Sequence, residues 1–240
     1  MSREQEVAQS WEANADAWTR VVRTGRIESR RLATDAALTE AILRSGARSL
    51  LDVGCGEGWL ARALARHGLD VTGFDAVPAL VDGARSLGGG AFKVLSYEEA
   101  ARDPELLGGP FDAAACNFSL LGEVVVPLLR ARKRRLSDTG TLFVQTVHPL
   151  SAACDGSYED GWRTETFTTF GDAAWQPMPW YFRTVGSWIG ALSEAGFRVE
   201  ACIEPLHPDA GRPLSLLLVC RCVRATPGEP VGALTNADPA

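Results

Sequence analysis

The sequence predicts a doubly wound α/β fold built on a seven-stranded, mostly parallel sheet. Three observations predict it. From about residue 48 to residue 147, short apolar runs alternate with longer amphipathic stretches, the rhythm that right-handed βαβ crossovers produce. Glycine or proline punctuates the changes of period. One run, SLLDVGCGEGW at Ser49–Trp59, passes from an apolar strand (Leu50, Leu51, Val53) through glycines 54, 56 and 58 directly into an apolar helix.

In chain order, Trp11, Ala15, Trp18 and Val22 recur three to four residues apart and predict an amphipathic helix. A second helix follows from about Ser29, with Leu32, Ala36, Ile42 and Leu43 apolar and Gly46 as its stop. Residues 1–45 are therefore expected to form an N-terminal helical lid, and residues 46–225 the core domain. Strands read near 48–53, 70–75, 91–95, 111–117 and 141–147, and helices near 57–67, 78–87, 97–107 and 122–136. Gly68 and Gly140 act as breakers, and Pro78 suits a first helical position. The rhythm breaks over 148–183, an aromatic-rich insertion after the fifth strand. A helix over 184–195, ended by Gly196, and strands near 197–203 and 214–222 complete the sheet, and the tail 226–240 is expected to be disordered.

Composition narrows the function. At 240 residues, 46% hydrophobic and 22% charged, the chain can bury a sizeable core, and a net charge of −6 argues against a protein that grips phosphate backbones. No apolar run approaches the roughly 20 residues of a membrane helix, and the polar N-terminus is unlike a signal peptide. Cysteines 55, 116, 154, 202, 220 and 222 form no C-x-x-C pair, which suits reduced thiols and no metal centre. A cytoplasmic protein is expected.

The glycine turn carries the functional signal. Such a turn at a helix N-terminus brings bare backbone N–H groups close to an anionic ligand group. Its spacing is G-x-G-x-G, and a dinucleotide fingerprint would need glycine or alanine at position 59, where Trp59 stands. The indole points away from nicotinamide cofactors and towards S-adenosylmethionine. Ligands of such sheets lie outside the carboxyl ends of the strands, so Gly54, Asp75, Ser96, Asn117 and His148 should share one rim. Asp75 closes the strand VTGFD at the distance where an acid accepts hydrogen bonds from both ribose hydroxyls and rejects a 2′-phosphate.

LLDVGCGEG, the acid of VTGFD and the strand end CNFSLL resemble the cofactor motifs of class I S-adenosylmethionine-dependent methyltransferases of the small-molecule type. The resemblance covers residues 45–150 by motif and the rest by order of elements. It implies a Rossmann-like sheet whose last strand is antiparallel. It implies that Gly54, Gly56 and the backbone near Cys55 cradle the methionine part, and that Asp75, with Ala76 beside it, holds the ribose. Ser96 and Tyr97 fall where the family touches adenine, although the acid often found there is missing. Asn117 and Phe118 would face the methionine and adenosine, and Arg30 or Arg31 is placed on the methionine carboxylate by charge alone.

Methyl transfer from a sulfonium is an in-line displacement, in which alignment alone removes roughly 7–11 kcal/mol of barrier. A hydroxyl acceptor gains a further 10²–10⁴-fold, approximately, from a general base. Of three histidines, His67 reads as structural at a helix C-terminus and His207 lies in a late loop. His148 directly follows the fifth strand and is the candidate base. The family's usual acceptor site lies between the lid and the segment after that strand. Trp11, Trp18, Tyr158, Trp180 and Tyr181 are the candidate acceptor-binding residues, with Trp162, Trp175 and Trp188 nearby. The same rings would also serve as a satellite core under a long loop.

The basic run Arg130–Arg135 reads as a solvated helix face, and CNFSLL lacks the Asn/Asp-Pro-Pro-aromatic pattern of enzymes that methylate exocyclic amines. The expected activity is methyl transfer to an oxygen or ring nitrogen of a small planar metabolite, in secondary metabolism or quinone-like chemistry. No nucleic-acid or membrane partner is expected, and the chain should be a monomer or homodimer. The alternatives are a methyltransferase acting on RNA or protein, a non-catalytic cofactor-binding module and, more distantly, an NAD-dependent reductase.

Overall fold

The computed structural model describes residues 2–153, 156–170 and 174–223; the tail expected to be disordered, 226–240, and Cys154 lie outside them. The chain opens with helix α1 (Arg3–Arg23), a π-helical turn (Arg30–Thr34) and α2 (Asp35–Arg44). Then β1 (Ser49–Val53), α3 (Trp59–Ala65), β2 (Asp70–Asp75), α4 (Pro78–Leu87), β3 (Ala91–Val94), α5 (Tyr97–Arg102) and β4 (Phe111–Asn117) alternate as the sequence predicts. They continue through α6 (Val126–Lys133), β5 (Leu136–Val147) and the short α7 (Pro149–Ala152). The hairpin strands β6 (Gly161–Glu165) and β7 (Met178–Phe182) follow, then α8 (Val185–Glu194), β8 (Phe197–Ile203) and β9 (Ser215–Cys222).

The main sheet has the order β3-β2-β1-β4-β5-β9-β8. All neighbours are parallel except β9, which runs antiparallel to both β5 and β8. Strand order reverses between β1 and β4. Because Val53 pairs with Phe74 on one side and Cys116 on the other, the residues just beyond, led by Gly54, emerge level with Asp75 and Asn117. Alternation in β1 explains the layering. Leu51 and Val53 join Ala100 of α5, Leu128 and Leu129 of α6, and Trp188 and Leu192 of α8 on one face. Leu50 joins Leu38 and Ile42 of α2, Leu60, Ala61 and Leu64 of α3, and Val81 and Ala84 of α4 on the other.

Three local readings are corrected. The insertion 148–183 contains an antiparallel hairpin, Gly161 opposite Phe182 through Glu165 opposite Met178, which the aromatic and proline content concealed. β5 begins at Leu136, five residues before the predicted strand, with a register shift between Phe111 and Ala113 on its partner. The basic run is not simply solvated. Arg130 pairs with Glu194 (3.1 Å), Lys133 donates to the Val223 carbonyl (2.9 Å), and Arg135 donates to the Gly108 carbonyl (2.6 Å). Arg132 is completely buried, its guanidinium 4.8 Å from the centre of the Phe74 ring.

Helix α1 starts in a capping box between Ser2 and Gln5, with Glu4 and Glu6 in its first turn and Arg20 and Arg23 in its last. It is tied to the insertion by buried polar contacts. The Asn14 amide donates to the Gln176 carbonyl (2.8 Å) and accepts from the Gln176 N–H (2.9 Å), while the Ser10 hydroxyl donates to the same carbonyl (3.2 Å). Around this seam, Trp11 meets Trp18 (4.9 Å between centroids) and Phe167 (6.0 Å), and Phe167 stacks on Trp175 (5.0 Å). The helix and the insertion thus form one cover across the carboxyl ends of the strands.

Candidate active site

Beneath that cover lies a cavity of about 1250 Å³. Arg30, Gly54, Cys55, Gly56, Asp75, Ala76, Ser96, Tyr97, Asn117 and Phe118 all line it, as do Trp11, Trp18, Trp180 and Tyr181. The doubly wound topology explains the convergence of the cofactor-side residues, most of which end a strand or cap the helix that follows.

The glycine turn is shaped by left-handed backbone at Gly54 (φ +71°) and Gly56 (φ +53°). A Cβ at Gly54 would come within 2.5 Å of both the Ser119 Cβ and the Tyr97 hydroxyl, so this glycine serves close internal packing. A Cβ at Gly56 would meet only the Trp18 indole nitrogen, at 4.0 Å, which leaves the backbone there open towards the cavity. The expectation of bare N–H groups needs correction. Gly54 and Cys55 both donate to the Phe74 carbonyl (2.9 and 3.0 Å), and Gly56 donates to Asp75 Oδ2 (2.9 Å). The turn offers proximity more than free donors.

Asp75 also accepts from the Val77 N–H (3.0 Å) and draws on the Ala76 N–H, and its two carboxylate oxygens still have acceptor capacity for a hydroxyl. Burial pushes its carboxyl above the ordinary range, and those backbone donors pull it back. Ser96 uses its hydroxyl as the N-cap of α5, accepting from Glu99 (3.1 Å). Tyr97 is similarly engaged, donating to the Ser119 carbonyl (2.9 Å) while Ser119 donates to the Val53 carbonyl (2.6 Å). Both residues line the cavity, yet their polar atoms brace its floor. Phe118 takes φ +52°, unusual for an aromatic residue, while its N–H extends the sheet ladder to Gln145 (2.8 Å). Arg30 lies over the Trp59 ring (4.4 Å) and binds Asp35 through Nε (2.9 Å).

Two candidates are placed outside the cavity lining. His148 does not line the cavity: it is buried, its Nε2 meets Glu204 (2.7 Å), and its Nδ1 accepts from Leu150 as the cap of α7. The turn into α7 carries the ring away from the rim. Tyr158 also lies outside the lining, where its hydroxyl accepts from the first N–H of α8 (Val185, 3.0 Å). His207 likewise caps its own loop, accepting from Asp209 and Ala210.

Four residues that sequence reasoning passed over shape the site. Asp52 is buried in β1 on the same face as Leu50, and burial together with the Asp75 charge raises its carboxyl to about 7, against a lowering by Arg30. An acid within LLDV was the available signal. Glu57, 1% exposed, joins Arg62 (2.6 Å) and Arg23 (3.1 Å), which fastens the glycine turn to both α3 and α1. Arg183 packs against Tyr181 and Trp188 and donates to the Gly122 and Glu123 carbonyls (2.8 and 2.5 Å). Gln145 links the π-helical turn, β4 and β9. Nothing local in sequence marks these last three.

The family described as "methyltransferase domain" matches residues 25–201, about three-quarters of the chain. The chain belongs to that family. Its fold is that of class I S-adenosylmethionine-dependent methyltransferases. Among curated relatives, a ubiquinone biosynthesis O-methyltransferase of Xylella fastidiosa is 39% identical over 120 residues, 48% of each chain. One of the same description from Xanthomonas campestris is 42% identical over 115 residues, 45% of this chain and 46% of the relative. This methyltransferase thus spans about half the length of the curated relatives it matches. Its fold is shared with a 1,6-didemethyltoxoflavin-N1-methyltransferase of Burkholderia thailandensis solved with bound 1,6-didemethyltoxoflavin and S-adenosylhomocysteine. The TM-score is 0.64 at 18% identity, covering 92% of this chain and 89% of that one. An S-adenosylmethionine-dependent methyltransferase of Mesorhizobium loti gives a TM-score of 0.58 at 24% identity over 80% and 97%. Among the described residues, no helix is long and apolar enough to cross a membrane.

The site fits the cofactor. Gly56 leaves the backbone open under Trp18, Asp75 keeps acceptor capacity at the end of β2, and Asn117 stands across the switch point.

Proposed function

We propose that this methyltransferase transfers a methyl group to an oxygen or ring nitrogen of a small planar aromatic or heteroaromatic metabolite. One observation carries the reading: the cavity that holds the glycine turn is also lined by Trp11, Phe167, Phe170, Trp162, Trp180 and Tyr181. Its volume of about 1250 Å³ exceeds the upper end of the range for single small-molecule sites, roughly 300–1,000 Å³, and leaves space for a second ligand. Flat apolar walls hold a planar ring at low entropic cost and keep water from the reacting atoms.

The bound cofactor supplies an electrophilic methyl on a sulfonium. The chain's own residues align and enclose. Asp75 accepts hydroxyl donors at one end, and the rings of α1 and the β6–β7 hairpin orient the acceptor at the other. No histidine lines the cavity among the described residues, so a hydroxyl acceptor passes its proton to a lining carboxylate such as Glu4, Glu159 or Glu165. A pyridine-type ring nitrogen attacks through its lone pair and needs no such step, whereas an N–H nitrogen sheds its proton by the same route. The O-methyltransferase relatives, matched over half their length, and the N1-methyltransferase neighbour, matched in fold, support acceptors of these two kinds.

The test is transfer of radiolabelled methyl from S-adenosylmethionine to a panel of catechols, hydroquinones and nitrogen heteroaromatics. Label in at least one class is expected. Label only in added RNA or protein would refute the proposal.

A further inference from the structure

Gln145 is 1% exposed near the end of β5, and both polar atoms of its side chain are engaged. Nε2 donates to the Thr34 carbonyl (3.2 Å) and to Asn117 Oδ1 (2.8 Å), and Oε1 accepts from the Ser215 hydroxyl (3.3 Å). A backbone carbonyl only accepts, so the Thr34 contact admits the NH2 end of Gln145 and excludes the oxygen end. With that amide fixed, the atom of Asn117 that meets it must be the oxygen. The Asn117 NH2 group is therefore turned away from Gln145, on a residue that lines the cavity at the switch point between β1 and β4.

We infer that Gln145 is a positioning residue that fixes Asn117 as a hydrogen-bond donor to the bound cofactor. The Asn117 NH2 supplies a donor to an accepting atom of S-adenosylmethionine, where the glycine turn has its own N–H groups committed to Phe74 and Asp75. Thr34 closes the π-helical turn that begins at Arg30, and Ser215 begins β9. The orientation of one cofactor-facing amide is thus set jointly by the N-terminal segment, the last strand and β5. This inference concerns cofactor binding and does not depend on the identity of the methyl acceptor.

Gln145→Glu reverses the logic. A carboxylate there would draw the NH2 end of Asn117 towards itself and turn Oδ1 into the cavity. Asn117→Asp places an acceptor at the same point directly, on a partly exposed side chain whose change leaves the core intact. Isothermal titration of S-adenosylhomocysteine into the full chain should show about tenfold or greater weakening in both variants, the size expected when a donor to a polar ligand group is replaced by an acceptor. The Asn117 side-chain NH2 resonance should shift on ligand addition in the wild type. If Gln145→Glu fails to fold, Asn117→Asp and that resonance still decide the matter. Affinity within twofold of wild type in Asn117→Asp or in a folded Gln145→Glu, or an NH2 resonance unmoved by the ligand, would overturn the inference.

Discussion

Asp52→Asn should make the protein more stable at neutral and alkaline pH. The carboxyl is buried in β1, and burial with the Asp75 charge moves it from 3.8 to about 7 in the folded state. An acid with a raised folded value keeps its proton in the native state while the unfolded chain loses it. Its contribution is therefore neutral below pH 4, turns unfavourable as pH rises from about 4 to 7, and levels off above. At 1.36 kcal/mol for each tenfold, ionising this group in place costs at most about 4 kcal/mol. A neutral amide of the same shape escapes that cost, so the substitution should raise stability by about 2–4 kcal/mol at pH 8 and change little at pH 4. Urea unfolding of both proteins between pH 4 and 8 measures this directly. Asp75 and Asp35 are also raised by burial, so a shallower decline should persist in the variant. A variant less stable than wild type at pH 8, with the same pH slope, would refute the reasoning.

Glu57→Gln should cost about 1–3 kcal/mol in thermal or urea unfolding, because two charge-assisted contacts, to the partly exposed Arg23 and Arg62, are weakened at once. His148→Ala should leave methyl transfer at its wild-type rate and pH profile while lowering stability by about 1–2 kcal/mol, since the ring caps α7 and pairs with Glu204. A loss of turnover without a loss of stability would restore His148 as a base. Trp180→Ala should weaken acceptor binding tenfold or more, read as a rise in KM, with S-adenosylhomocysteine affinity within twofold by titration.

The sheet and its cofactor rim were legible because period and punctuation are local. Apolar runs closed by Gly54, Asp75 and Asn117 report strand ends wherever they fold, and the crossover rule then places those ends together. The orientation of single side chains was not legible. His148 follows β5 as expected, but Pro149 starts α7 at once and turns the imidazole into a cap. Tyr158 lies in the right segment and faces α8. The β6–β7 hairpin was hidden because Pro177 and Pro179 flank or enter a strand whose pairing is purely tertiary, Thr164 opposite Pro179. Gln145 and Arg183 matter only through partners far away in sequence, such as Thr34 and Gly122. Asp52 was passed over although LLDV carried a signal, since an acid among residues bound for the core announces an unusual environment.

A crystal structure of the full chain with S-adenosylhomocysteine tests the central claim most directly. The ribose is expected on Asp75, the Asn117 amide on the ligand, and the sulfur facing an open space walled by Trp11, Trp180 and Tyr181. A ligand that lies elsewhere, or a sulfur sealed behind packed rings with no room for an acceptor, would contradict it.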